Sequence, residues 1–173
     1  SGVNSDDPHA GANVPAIARR LGLESLAVIP PMLREEWLFQ TGLARFDRVE
    51  IYDLARQEQQ MEQVDRLLSD RGGEPFFLLV HYFDVHEPYM DTSLGTAPID
   101  RYDGEIRTAD KAIGRLLAGL KNKLKRDVVV VLTADHGEEF RDHGGVYHGS
   151  SVYEEQVHVP LLIHAPDLAA RRV

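Results

Sequence analysis

The chain has 173 residues, a formal net charge of −9 and no cysteine. This length suits a single domain with a sizeable core. The lack of cysteine excludes disulfides and thiolate zinc sites, and an acidic balance without a dominant basic block argues against a nucleic-acid partner. No apolar run is long enough to span a bilayer, and the N-terminus lacks the pattern of a signal peptide.

Apolar periodicity and turn residues predict alternating helices and strands. Residues 1–12, rich in Gly, Asp, Asn and Ser, are expected to form a loop or disordered entry to one α/β domain over residues 13–173. The predicted elements are a helix over 13–22, a strand over 25–29, irregular structure over 32–52, a helix over 55–70, a strand over 76–81, a loop over 91–100, a helix over 101–120, a strand over 128–132 and a strand over 158–165. This order indicates a mostly parallel sheet with helices on both faces.

The segment from Asp127 to Glu139, D-V-V-V-V-L-T-A-D-H-G-E-E, is the most informative part of the sequence. Its valine run predicts a strand buried on both faces. Asp135 and His136 follow that strand, at the edge where open α/β sheets place ligands. Carboxylate oxygen and imidazole nitrogen suit a divalent cation, and Gly137 is expected to let the backbone turn away tightly. A strand followed by a solvated Asp-His pair is the plainer alternative.

The histidines cluster at the ends of two predicted strands. His81 and His86 end one strand, and His136, His143 and His148 follow another. If the two strands are parallel neighbours, both groups reach one edge of the sheet, as a metal-dependent hydrolase requires.

Plainer interpretations apply to several of these residues. His81 fits a core histidine bonded to the backbone, and Asp84 fits a turn cap before Pro88. His143 fits a solvated loop position, and His148 fits a loop or a site position about equally well. His158 and His164 are expected to be structural, and His9 carries little information.

Four ordered blocks together resemble the sulfatases, which belong to the alkaline phosphatase superfamily. The blocks are H-Y-F-D-V-H-E-P-Y, Y-D-G-E-I-R-T-A-D-K-A-I-G-R-L-L, V-V-V-L-T-A-D-H-G-E-E and H-G-S-S-V-Y-E-E-Q-V-H-V-P-L-L-I, and the resemblance as a whole extends from about Asn13 to Pro166. The resemblance implies an alkaline-phosphatase-like α/β fold, here incomplete. The superfamily also includes phosphonate monoester hydrolases and phosphoethanolamine or glycerol-phosphate transferases.

The resemblance also implies roles for individual residues. Asp135 and His136 match a pair of metal ligands, and His86 matches the histidine that contacts the sulfate or phosphate group. His148 falls where the family has a lysine or histidine near the ester and its leaving oxygen, and Asp110 matches a recurring structural position. The expected metal is calcium, or manganese or zinc in a phospho-ester enzyme. The Asp-His form is common in bacterial members and in members acting on phosphate esters or phosphonates.

Two family features are absent from the sequence. No cysteine or serine occurs in the C/S-x-P-S/A-R context that supplies the nucleophile, and no upstream strand with metal-binding aspartates precedes residue 13. The small C-terminal domain common in members is also absent. We therefore expect a fragment that is inactive alone and prone to self-association through an exposed sheet edge.

The expected function is that of a parent enzyme which hydrolyses small-molecule or glycan sulfate esters. Hydrolysis or transfer of phosphate esters or phosphonates is the nearer alternative, and a non-catalytic binding domain or a plain scaffold are the others. The sequence preceding Ser1 would discriminate among them. Members of the family are often periplasmic or otherwise extracytoplasmic.

Overall fold

The computed structural model describes residues 13–33, 46–54, 59–69, 71, 73–124 and 126–172. The helices are α1 (Val14–Arg20), α2 (Gln59–Ser69), α3 (Pro98–Lys123) and α4 (Glu154–Val157), with a 3-10 turn at Pro31–Leu33. The strands are β1 (Glu24–Ile29), β2 (Arg48–Ile51), β3 (Phe76–Val80), β4 (Val130–Thr133), β5 (Glu139–Phe140), β6 (Val146–Tyr147) and β7 (Leu161–His164). The predicted α/β class is confirmed.

The central sheet is parallel, with β1 between β2 and β3. Within β1, residues 25–29 are fully buried, as expected for the middle strand of a covered parallel sheet. Leu26 and Val28 point to one face, where they pack with residues of α2 and α3 such as Val64 and Leu116. Each fully buried Val or Leu contributes about 1.5–3 kcal/mol to folding. The sheet is therefore anchored mainly through β1.

The end of β3 is fixed by a buried tyrosine. Tyr52 follows β2 and is 1% exposed, and its hydroxyl accepts a hydrogen bond from the Phe83 amide at 3.0 Å. Burial raises the pKa of Tyr52 well above the usual value, so this side chain stays neutral. The chain after β3, which carries His86, thus leaves the sheet at a defined position.

The strand β4 differs from its prediction. It pairs antiparallel with β7 and not with β3, so the two predicted neighbours lie in separate sheets of the described structure. Val131 is 61% exposed, and the prediction that this strand is buried on both faces is therefore wrong. A continuous apolar run indicates a strand suited to burial but does not show that neighbouring elements cover it.

Other boundaries agree to within a few residues, and the described elements β2, β5, β6 and α4 were not predicted. The strand β2 lies in the segment predicted to be irregular, because R-V-E-I has only two apolar residues.

Gly22 has a φ of 72°, which explains why α1 ends there. Residues 1–12, 34–45, 55–58 and 70, including the predicted entry loop and the start of the predicted second helix, lie outside the described residues.

Within the described ranges, the helices are all too short or too polar to cross a lipid bilayer.

Asp47 links α1, β1 and the start of β2. Its Oδ2 accepts hydrogen bonds from the Ser25 hydroxyl at 2.6 Å and the Ser25 amide at 2.9 Å, and its Oδ1 accepts one from Arg19 Nε at 3.0 Å. The hydrogen bonds from Ser25, followed by those from Arg19, lower the pKa of the Asp47 carboxyl. Such a carboxylate stabilises the fold above its unfolded pKa, and the contribution is lost as pH falls through the folded pKa.

We expect Asp47→Asn to lower the free energy of unfolding at pH 7 by about 1–2 kcal/mol, because hydrogen bonds to a charged acceptor are lost. We also expect this variant to lose less stability than the wild type between about pH 4.5 and pH 3. Urea denaturation at several pH values measures both effects, with Asp110→Asn, an exposed site on α3, as control. An unchanged acid profile in Asp47→Asn would contradict the assignment.

The β4–β7 pair exposes a broad apolar surface. Val131 and its cross-strand partner Ile163 are 61% and 51% exposed, and Leu161 and Leu162 are 65% and 59% exposed. Contiguous exposed apolar strands favour association between chains. We expect the chain to self-associate, and we expect the double substitution Val131→Thr with Ile163→Thr to weaken this association. Sedimentation equilibrium tests it against Val152→Thr, which removes an 84% exposed apolar side chain outside the strands. Equal association of the two variants would exclude this surface.

Candidate functional site

Three of the predicted site histidines meet at one place. The rings of His136 and His148 stack with centroids 3.8 Å apart and an interplanar angle of 24°. The ring of His86 meets that of His148 edge-on at 5.8 Å. The structure therefore brings together His86, His136 and His148, with Asp135 adjacent, although β3 and β4 do not pair.

These three imidazoles share one hydrogen-bonding pattern. Nδ1 of His86 lies 2.8 Å from the Glu87 carbonyl oxygen, and Nδ1 of His136 lies 2.9 Å from the Gly137 carbonyl oxygen. Nδ1 of His148 lies 3.1 Å from Oε1 of Glu138. Because carbonyl and carboxylate oxygens accept hydrogen bonds, each Nδ1 carries the proton. Each Nε2 is thereby left for a ligand.

The loop that carries His86 is held from two sides. The Phe83 ring stacks on the His86 ring at a centroid distance of 4.4 Å. Beyond the cis Glu87–Pro88 peptide bond, the amides of Met90 and Asp91 donate to Oε1 of Glu105, at 2.8 and 3.0 Å. Glu105 is buried on α3, so the longest helix positions this loop.

Asp135 and His136 have the atoms and the spacing of a partial metal site. Oδ1 of Asp135 accepts from the His136 amide at 3.1 Å, and Oδ2 lies 3.8 Å from Nε2 of His136. Two ligand atoms that each lie about 2.0–2.6 Å from a cation can be this far apart. A metal-binding histidine usually donates its other ring N–H to a carbonyl or carboxylate, as His136 does to Gly137. The pair therefore fits a divalent cation as two of its ligands.

Gly137 is required for close backbone packing. Its amide donates to the Gln156 carbonyl at 2.8 Å, and a Cβ at this position would lie 2.1 Å from the Glu155 carbonyl oxygen. The sequence analysis expected glycine at position 137 because of a tight turn. The φ of Gly137 is not in the left-handed region, so a turn of that kind is not why glycine is required. The approach of residues 155–156 is what only glycine permits.

Glu138 was not predicted as a site residue. It is 8% exposed, its Oε1 faces Nδ1 of His148, and its Oε2 accepts a hydrogen bond from the Tyr89 hydroxyl. Burial and the hydrogen bond with Glu138 raise the pKa of Tyr89 strongly. A lone glutamate has no sequence pattern that identifies it, and its position two residues after His136 was the available signal.

A second group of metal-ligand types lies in the loop between β5 and β6. Ligand atoms of Glu139, His143 and Glu155 lie within 4.8 Å of one another. The Glu139 carboxylate already accepts from the amides of His143 and Gly145 and from Nε2 of Gln156. Nδ1 of His143 lies 2.6 Å from Oε1 of Glu155, and its ring stacks on Tyr153. His143 is thus half-exposed but well held, and the group is explained by loop structure.

Asp84 and His81 carry buried polar atoms that have no hydrogen-bond partner of ordinary geometry in the described part of the chain. Both carboxylate oxygens of Asp84 and Nδ1 of His81 have no such partner. Desolvation raises the pKa of Asp84 and lowers the pKa of His81. The interpretations of Asp84 as a turn cap and of His81 as a backbone-bonded core histidine stay predictions.

The remaining predicted positions lie elsewhere. Asp110 is exposed on α3, and His158 is exposed after α4, 3.4 Å from Glu154. His164 lies in β7, and His9 lies outside the described residues. In the described part of the chain, the three-ring group consists of His86, His136 and His148, and none of Asp110, His158 and His164 belongs to it.

Comparison with known proteins gives consistent matches. A family described as "Sulfatase" matches residues 9–173. The chain is 31% identical over 64 residues to an uncharacterized sulfatase, YidJ, of Escherichia coli strain K12, covering 37% of this chain and 13% of that protein. It is 39% identical over 62 residues to arylsulfatase K of Mus musculus, covering 35% of this chain and 11% of that protein.

A solved structure is similar in fold. The phosphoglycerol transferase GacH of Streptococcus pyogenes, in complex with sn-glycerol-1-phosphate, matches with a TM-score of 0.51 and 14% identity. The match covers 66% of this chain and 37% of that one. At this identity the likeness concerns the fold alone. In each of these comparisons the matched region is well under half of the relative's length.

We expect Gly137→Ala to weaken divalent-metal binding by about tenfold or more, because the added methyl group must displace residues 155–156 or move Asp135 and His136. Calorimetric titration measures the affinity, and thermal unfolding reports the loss of stability. Gly144→Ala is a control in the neighbouring loop, where a Cβ meets no atom within 4 Å although φ is 88°. Wild-type affinity in Gly137→Ala would show that the packing does not position the pair.

Proposed function

Since the chain belongs to the sulfatase family, we propose that the protein containing it is a metal-dependent enzyme that hydrolyses sulfate esters. The observation that carries this proposal is the meeting of three Nε2-presenting imidazoles beside a carboxylate. Such a group offers cationic or hydrogen-bond-donating contacts to an anionic ester and ligands to a cation.

Asp135 and His136 would hold the divalent metal through a carboxylate oxygen and Nε2. The metal, when bound, supplies positive charge that stabilises the anionic ester and its nucleophile. The Gly137 carbonyl keeps the proton of His136 on Nδ1 and so keeps Nε2 available. Calcium is the proposed metal for a sulfate ester, and manganese or zinc for a phosphate ester.

His86 and His148 would act on the ester group. In its protonated form each imidazole has an Nε2–H that donates to an ester oxygen, while its Nδ1–H stays bonded to Glu87 or Glu138. His148, which lies between the other two rings, would donate to the leaving oxygen, and His86 would contact the transferring group.

The organic part of the ester has a place beside the His86 loop. A cleft of about 480 Å³ adjoins that loop and is lined by Pro88, Tyr89, Phe140 and Tyr147, with the charged residues Glu87, Arg101, Glu139 and Arg141 also at its wall. Apolar rings beside charged groups of both signs suit a sugar or aromatic group. This cleft supports a small-molecule or glycan ester as substrate.

We further propose that these 173 residues alone do not turn over an ester. The sequence has no cysteine and no serine in the nucleophile context of the family. Catalytic metal sites usually take three or more protein ligands, and Asp135 and His136 supply two.

The second candidate function is hydrolysis or transfer of phosphate esters. Asp135 and His136 favour this second function, because the family resemblance associates the Asp-His form with members that act on phosphate esters or phosphonates. Assays of the complete gene product with an aryl sulfate, an aryl phosphate and an aryl phosphonate discriminate the candidates. Turnover of the sulfate in preference supports the first function, preference for phosphorus esters replaces it with the second, and no turnover of any ester leaves a binding domain.

We expect the 173-residue chain to bind Ca²⁺, Mn²⁺ or Zn²⁺ weakly, and Asp135→Asn to weaken that binding by about tenfold or more. The substitution removes the negative charge that Asp135 brings to the pair and replaces a carboxylate oxygen with a neutral amide oxygen, which is a weaker ligand for a cation. Calorimetry measures both affinities, and Asp110→Asn provides an exposed carboxylate control. If Asp135→Asn binds as tightly as the wild type, the metal is held elsewhere.

A further inference from the structure

Glu138 is a buried carboxylate whose partners are side chains of the site. Its side chain is 4% exposed, and it lies between Nδ1 of His148 and the hydroxyl of Tyr89. Removing a carboxylate from water is unfavourable unless hydrogen-bond donors replace the lost hydration. Here both carboxylate oxygens have a donor, so the arrangement holds Glu138 in one orientation.

The neighbouring glutamate serves a different purpose. Glu139 is also buried, but it accepts from the amides of His143 and Gly145 and from Gln156. Those contacts fix the loop between β5 and β6. Glu138 instead fixes the imidazole of His148 at Nδ1, and the same ring stacks on that of His136. The contrast separates a carboxylate that holds backbone from one that holds a site ring.

We infer that Glu138, itself held by Tyr89, is a positioning residue for His148. The inference rests on the proposed function for its catalytic consequence. Glu138 keeps an N–H of His148 at Nδ1 and so leaves Nε2 as the ring nitrogen available to a ligand. Tyr89 anchors Glu138 through Oε2 and, being in the loop after His86, couples the positions of the two histidines.

Loss of the carboxylate has a defined physical effect. Without an acceptor for Nδ1–H, His148 can take the other tautomer or rotate, because its ring is 29% exposed and is otherwise held mainly by stacking. Mutation of a residue that hydrogen-bonds to a site histidine typically lowers activity by about 10–100-fold. We therefore expect kcat to fall by about that factor in Glu138→Ala, with KM nearly unchanged.

The first part of the test uses the 173-residue chain and needs no turnover. Long-range nitrogen–proton NMR of histidine-labelled protein at about pH 8, where an ordinary histidine is neutral, reports the tautomer of each ring. We expect His148 to be the Nδ1–H tautomer in the wild type and in Glu138→Gln, which keeps an oxygen acceptor. We expect Glu138→Ala to show the Nε2–H tautomer or a mixture. An unchanged His148 tautomer in Glu138→Ala would overturn the inference.

The second part measures kcat and KM in the complete gene product. The control is Glu154→Ala, which breaks an exposed carboxylate–histidine pair at His158, outside the three-ring site. We expect Glu138→Ala to lose kcat, Glu138→Gln to recover part of it and Glu154→Ala to match the wild type. Equal kcat in wild type and Glu138→Ala would overturn the catalytic consequence. A wild type that turns over no ester would defeat the proposed function, while the NMR result still decides whether Glu138 positions His148.

Discussion

The chemistry of this site depends on where three imidazole protons reside. Hydrogen bonds from Nδ1 to the carbonyls of Glu87 and Gly137 and to the Glu138 carboxylate leave three Nε2 atoms for other partners. Reversal of one tautomer would exchange a ligand atom for a donor, or a donor for an acceptor. Local backbone therefore determines what His86 and His136 present, whereas a side chain determines it for His148.

Packing farther away makes these local hydrogen bonds possible. Glu105 on α3 accepts hydrogen bonds from two amides in the loop that carries His86, and Gly137 allows residues 155–156 to approach the backbone beside Asp135 and His136. Tyr89 joins the two regions through Glu138. The site is thus held by the long helix and by close backbone packing, although β3 and β4 do not share a sheet in the described structure.

The features that could be predicted from the sequence are those with a strong apolar periodicity or a motif of the resembled family. The long helix, the strands β1 and β3 and the grouping of His86, Asp135, His136 and His148 could be predicted from apolar spacing and motif order, while the roles of those residues stay predictions. Three-dimensional partners could not be read: the exposure of Val131 depends on which strands flank β4, and the role of Glu138 depends on Tyr89, 49 residues away in sequence. Gly137 illustrates the same limit, since glycine is required there because residues 155–156 pack against its backbone.

The most direct test of Asp135 and His136 as metal ligands is paramagnetic broadening of histidine NMR signals by substoichiometric Mn²⁺ in the 173-residue chain. The account predicts that His136 broadens first, followed by the stacked His148 and then His86, while His158 and His164 stay sharp. The acidic group around His143 provides a built-in alternative, because its ligand atoms also converge. If His143 broadens first and His136 stays sharp, the cation binds the loop between β5 and β6, and the assignment of Asp135 and His136 as metal ligands is wrong.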